Sequence, residues 1–200
     1  MAHVAFGTVL GPNGRPFKTR SGGTVKLTDL LDAAVTKARS IVAEKAHGLS
    51  EAELDQIAEH AGIGAVKYAD LSTSRTKDYS FDVERMVSFS GNTGVYLQYA
   101  HTRICSVLHK AGDGPITVDP TRPLHPAERA LALTLDGFGD VVAEVGRLLE
   151  PHRLCVVSIH LCHERRGELD VGRDPRCDAA WKMEGKYSVN LFVATVRLGR

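Results

Sequence analysis

From residue 28 onward, apolar side chains recur every three or four positions: Leu30, Leu31, Ala34, Val35, Ala38, Ile41 and Val42. That spacing predicts an amphipathic helix with Thr28 as its N-cap, Asp29 and Asp32 in its first turn and Gly48 at its end. Ser50-Glu51-Ala52-Glu53 is a capping box and predicts a second helix to about Ala61. Gly62 is expected to separate it from a third over 64–74. Upstream, residues 3–10 are β-rich and stop at Gly11-Pro12-Asn13-Gly14, which predicts one strand ending in a turn. Residues 78–89 are less regular and lean towards strand around Tyr79, Phe81 and Val83. A strong helix is predicted over 95–109, then a linker over 111–126 that holds Pro115, Pro120, Pro123 and Pro126. Pro126 suits the first turn of a helix through Leu135, and another follows over 138–149. Beyond Cys155 the helical period lapses, and Gly167, Gly172, Pro175 and Gly185 interrupt the rest. Residues 156–200 are therefore expected to be irregular, with strand-like alternation only over 187–196.

Charge narrows the function classes. Twenty-five basic residues balance 24 acidic ones, so neither a strongly cationic field nor an acidic tail is present. No apolar run approaches the ~18 residues of a membrane span. The start of the chain lacks the charged and apolar regions of a signal peptide, and four cysteines at irregular spacing are too few to staple a secreted scaffold. The expected class is a soluble, cytoplasmic, globular protein.

Two stretches carry candidate chemistry. Residues 11–23 are glycine-rich and basic: Arg15, Lys18 and Arg20 can neutralise phosphate while the glycines permit close approach. The spacing fits neither the phosphate-loop nor the dinucleotide-loop pattern, so a solvated turn and a phosphate-contacting loop both remain open. In the helix over 95–109, Tyr96, Tyr99 and Arg103 stand at i, i+3 and i+7, on one face. Such a stripe suits stacking on unpaired RNA bases with a phosphate contact; core packing of the tyrosines is the other reading. Cys155, His160, Cys162, His163 and Cys177 lack the spacing of a structural zinc site, and no metal is expected. His60-Ala61-Gly62-Ile63 resembles a nucleotide-binding His-x-Gly-His element but lacks its final histidine. No nucleophile elbow and no paired-carboxylate site occur.

The blocks HVAFGTVLGPNGRPFKTRSGGTVKLTDLLDAAV, AGIGAVKYADLSTSRTKDYSFD, GNTGVYLQYAHTRICSVLHKAG and HPAERALALTLDGFGDVVAEV, in this order, resemble arginyl-tRNA synthetases, class I aminoacyl-tRNA synthetases. The likeness covers roughly residues 3–155. It implies a mostly α fold: an incomplete helical bundle of the anticodon-binding type, preceded by the last strand and loop of a Rossmann-type catalytic domain. By the resemblance, residues 1–27 are the catalytic-domain remnant, 28–90 a helical connector, 91–155 a partial anticodon-binding domain and 156–200 a divergent tail. Arg15 to Arg20 would take the place of the family's Lys-Met-Ser-Lys-Ser loop, with Lys18 as its second lysine, Thr19 as its final serine and Arg15 in place of its first lysine. The implied reaction is ATP-dependent arginylation of tRNA, with Mg2+ accompanying ATP as substrate and no tightly bound cofactor. Lys18 and Thr19 would be catalytic, Arg15, Lys18 and Arg20 would hold phosphate, and Tyr96, Tyr99 and Arg103 would meet tRNA. A C-terminal fragment of this kind, without the His-Ile-Gly-His element, is expected to be inactive alone. A stand-alone tRNA-binding module is the alternative. A monomer is expected, with self-association possible where the apolar faces of residues 131–135 and 141–149 lack a partner.

Overall fold

The computed structural model describes residues 3–17, 26–45, 48–111, 121 and 123–170. The chain forms two compact units, Met1–Tyr96 with Glu144–Cys155, and Leu97–Ala143 with Val156–Arg200. In the first, helix α1 (Leu27–Lys45) lies along helix α2 (Glu51–Ser72). Alanines make that approach close: Ala34, Ala38, Ala61 and Ala65 are buried between them, joined by Val66, Phe81, Met86, Val87 and Val95. Gly62 is the closest point, since a Cβ there would lie 2.6 Å from the backbone of Val35. At the rim of the pair, Arg39 of α1 donates to Asp55 at 2.6 Å and also to Glu51 of α2.

Strand β1 (Val9–Leu10) runs parallel to β2 (Tyr79–Ser80), Val9 opposite Tyr79 and Leu10 opposite Ser80. Two residues a side make a weak ladder, and the segment before it adds further ties. The Gly7 N–H donates to the Arg75 carbonyl at 2.6 Å, the Thr8 N–H to Asp78 Oδ1 at 2.6 Å and the Arg75 guanidinium to the Ala5 carbonyl at 3.0 Å. Any side chain at position 7 would collide with the Lys77 carbonyl, 2.1 Å from where its Cβ would lie. A short helix α3 (Val83–Met86) follows, its N–H at Arg85 received by the Asp82 carboxylate.

Helix α4 (Gly94–Ala111) leads from the first unit into the second, which also holds α5 (Pro126–Asp136), most of α6 (Phe138–Leu148) and α7 (His152–Asp170) beyond Cys155. His125 and Glu128 cap α5 reciprocally, with Pro126 in its first turn. Leu149, with φ of 56°, ends α6 in a left-handed conformation. Leu97, Ile104, Leu131, Ile159 and Leu161 are buried.

The mostly helical expectation holds, with four differences. Helix α1 starts before Thr28, because the Asp29 carboxylate receives the Lys26 N–H at 2.9 Å and caps the end from within. The two helices expected on either side of Gly62 are one, α2. The strand expected over 3–10 narrows to Val9–Leu10. Residues 156–170, expected to be irregular, continue α7. No proline interrupts 152–170, and Cys155 and Ile159, one turn apart, are both buried. Leu131 is likewise buried, so the α5 face is not wholly bare, although Leu133 stays 61% exposed. The strand-like run over 187–196 lies outside the described residues.

Candidate nucleic-acid interface and loop anchor

The basic loop is held at both ends. At its entry the chain folds back on itself: Gly11 N–H to Arg15 carbonyl at 2.8 Å, Gly14 N–H to Gly11 carbonyl at 2.9 Å, and an antiparallel bridge between Leu10 and Pro16. Gly14 takes φ of 68°, which a side chain rarely tolerates. The Asn13 carboxamide receives the Arg15 N–H at 3.2 Å, fixing the turn and leaving Arg15 exposed. Phe17 packs on the α1–α2 core. At the exit, the Asp29 carboxylate holds Lys26. Lys18, Thr19 and Arg20 lie outside the described residues.

Asn92, Thr93 and Gly94 at the entry to α4 have local tasks. Thr93 is buried; its hydroxyl donates to the Ser88 carbonyl at 2.6 Å and receives the Tyr96 N–H at 3.1 Å. Asn92 Oδ1 receives the Tyr68 hydroxyl at 2.6 Å. A Cβ on Gly94 would meet the Gly64 carbonyl at 2.8 Å, so α2 and the start of α4 can touch only through glycine.

Along α4 the expected stripe divides. Tyr96 is 4% exposed, so its ring is a packing group and not an open stacking surface, which is the core reading that the sequence left open for the tyrosines. Tyr99 is 43% exposed. One turn on, the exposed Arg103 donates to the Tyr99 hydroxyl at 2.9 Å, its guanidinium carbon 5.7 Å from the ring centre. This pair offers a flat ring and a fork of donors side by side. Sequence reasoning passed over His101, whose Nε2 lies 3.6 Å from Cys105 Sγ and whose partial burial holds its pKa below the ordinary histidine value. The Thr102 and Ser106 hydroxyls turn back onto backbone carbonyls. His60 is exposed on α2. Among the described residues, no group of three His, Cys, Asp or Glu side chains could hold a metal ion; Cys177 is not among them.

Residues 1–83 match the family model of class I tRNA synthetases (R), catalytic domain, and residues 97–166 that of the DALR anticodon binding domain. The first of these descriptions assigns the chain to the class I aminoacyl-tRNA synthetases, and the second adds an anticodon-binding domain after it. The Arginine--tRNA ligase of Frankia casuarinae is 76% identical over 155 residues, 78% of this chain and 26% of that protein. That of Streptomyces avermitilis is 55% identical over 160 residues, 79% of this chain and 27% of that protein. The solved arginyl-tRNA synthetase of Thermus thermophilus superposes with a TM-score of 0.78 at 29% identity, covering 96% of this chain and 33% of that one. The chain belongs to the arginyl-tRNA synthetase family and spans about a quarter of the length of the curated relatives it matches.

Proposed function

We propose that this chain is part of an arginine–tRNA ligase, which joins arginine to its tRNA at the expense of ATP. The observation that carries this reading is the 76% identity over 155 residues to the Frankia casuarinae ligase. In it, Lys18 meets the charge that develops on the pyrophosphate as the adenylate forms, Thr19 completes the motif, and Arg15 and Arg20 add positive charge around ATP and its Mg2+. Phe17, packed on the core, and Lys26, held by Asp29, fix the chain on either side of residues 18–25. Residues 1–27 would then belong with the catalytic part, 28–90 connect and 91–155 carry the anticodon-binding helices, to which the helical stretch 156–170 is added. Tyr99 and Arg103 meet the tRNA, while Tyr96 supports their helix from within. Such an enzyme works in the cytoplasm, where translation runs; among the described residues no helix is long and apolar enough to cross a membrane. A monomer is the expected unit, and exposed Leu133 on α5 is where self-association would begin.

Two assays on the purified chain test the reading. Binding of arginine-specific tRNA that weakens on Arg103→Ala supports it, and an affinity indifferent to both Arg103→Ala and Tyr99→Ala overturns the interface. Arginine-dependent ATP–pyrophosphate exchange separates a chain active alone from a tRNA-binding module without catalysis.

A further inference from the structure

Asn13 and Gly14 stand at the tip of the hairpin that enters the basic loop, and both are exposed. An asparagine followed by glycine is a chemically labile pair, because no Cβ keeps the glycine nitrogen away from the neighbouring carboxamide carbon. Nothing lies within 4 Å of where a Cβ on Gly14 would point, so this side of the turn is open to water. Both reacting groups are nevertheless engaged. The Gly14 N–H donates to the Gly11 carbonyl at 2.9 Å, and Asn13 Oδ1 receives the Arg15 N–H at 3.2 Å. The Gly11 N–H donates to the Arg15 carbonyl at 2.8 Å, and the Leu10–Pro16 bridge joins the two arms. Phe17 seats them on the core, its Cε1 3.4 Å from where a Gly11 Cβ would lie. The other two asparagines precede Thr93 and Leu191, whose side chains crowd the same approach.

We propose that Asn13 is a modification site, converted to aspartyl and isoaspartyl forms by the chain's own backbone when the hairpin opens and shielded while it is closed. The Gly14 nitrogen attacks Cγ of Asn13 and forms a C–N bond. The bond from Cγ to Nδ2 breaks, and the proton given up by Gly14 leaves with that nitrogen as ammonia. Water then opens the cyclic imide at either carbonyl, with nothing oxidised or reduced. Cleavage at Cγ leaves aspartate, whose carboxylate can still receive the Arg15 N–H. Cleavage at the main-chain carbonyl routes the chain through Cγ and adds a methylene to the backbone, so the Gly11–Arg15 and Leu10–Pro16 pairings lose their register. Either product places a negative charge two residues from Arg15. The chemistry goes beyond the ligase reading and does not depend on it; under that reading, it falls on the loop that meets phosphate.

The test is peptide mapping by mass spectrometry of the purified full chain, incubated in mildly alkaline buffer and scored for aspartate and isoaspartate at Asn13. The native chain is compared with the same chain in guanidinium chloride and with Phe17→Ala, which keeps the reacting pair and loosens its seat on the core. Conversion at Asn13 is expected to run about tenfold or more faster in denaturant than natively, with Phe17→Ala in between, as for a group exposed by local opening. In denaturant, Asn13 is expected to outpace Asn92, and Gly14→Val, which restores the crowding, to bring it down to the Asn92 rate. A native rate equal to the denatured one shows that the hairpin shields nothing, and an Asn13 no faster than Asn92 in denaturant shows that the pair is no site; either overturns the proposal. The native-against-denatured comparison needs no variant, so it decides even where Phe17→Ala does not fold. No readout involves tRNA or ATP, so failure here leaves the tRNA-binding test standing, and the converse holds.

Discussion

Tyr96 and Tyr99 lie three residues apart on α4, yet one is 4% exposed and the other 43%. Truncating each therefore acts on a different quantity. Tyr96→Ala empties a buried site and is expected to cost about 3–5 kcal/mol of fold stability, seen as a lowered melting temperature. Tyr99→Ala is expected to leave the melting temperature nearly unchanged and to weaken tRNA binding by ~1–3 kcal/mol, the worth of one stacked base. Arg103→Ala reduces the slope of log affinity against log salt by about 0.7–0.9, one phosphate contact. If Tyr96→Ala proves the weaker binder and the better folder, the assignment of the two rings is reversed. Two protons, on buried Cys155 and half-buried Tyr79, bear on the alkaline limit. Burial pushes the Cys155 thiol up to about 11, and burial together with Asp70 pushes the Tyr79 hydroxyl to about 12. Both groups hold their protons more tightly folded than unfolded. Their contribution is therefore complete well below about pH 9, where the unfolded thiol is half ionised, and declines as pH rises towards 11 and 12. Melting temperatures from pH 7 to 11 are expected to fall above 9, less steeply in Cys155→Ala; a flat profile would contradict the burial of both groups.

At the scale of elements, the sequence was most legible where a single local rule decides. The heptad-like spacing of Leu30 to Val42 located α1, Ser50 and Glu53 located the start of α2, and Pro126 the start of α5, each within a residue or two. Gly62 was misread because local propensity and tertiary contact disagree there. On propensity alone, alanine at a helix interior is favoured over glycine by about 0.8–1 kcal/mol, which makes a glycine look like a break. The packing of α1 on α2 reverses that preference, since the Val35 backbone occupies the space of a Cβ. Gly62→Ala is accordingly expected to destabilise the chain by about 1–3 kcal/mol despite its better propensity, measured by thermal unfolding. A gain in stability would mean that α1 and α2 do not approach so closely. Helix α7 was missed for another reason. Glycines and a proline farther along mask the period of residues 155–162, where Cys155, Ile159 and Cys162 keep helical spacing.

For the whole molecule, charge and coverage set what the chain does by itself. With 25 basic against 24 acidic residues, there is no long-range field to draw in a polyanion. Under the ligase reading, tRNA binding would rest on a local surface such as Tyr99 and Arg103, and is expected to be correspondingly sensitive to salt and to single substitutions. Adenylate formation asks for more than that surface. A cation at Lys18 stabilises charge only when ATP and arginine are already held in line for attack, which is the larger part of the barrier. Within these 200 residues the only approach to a His-x-Gly-His element, at His60, stands exposed on α2 and lacks the last histidine. The two activities are thus expected to separate in the purified chain. It binds tRNA with an affinity that falls on Arg103→Ala and shows no arginine-dependent ATP–pyrophosphate exchange, so that Lys18→Ala has no exchange activity to remove. Exchange above background, lost in Lys18→Ala, would show that these residues alone hold ATP and arginine in reacting geometry, and would place a nucleotide site within the chain itself.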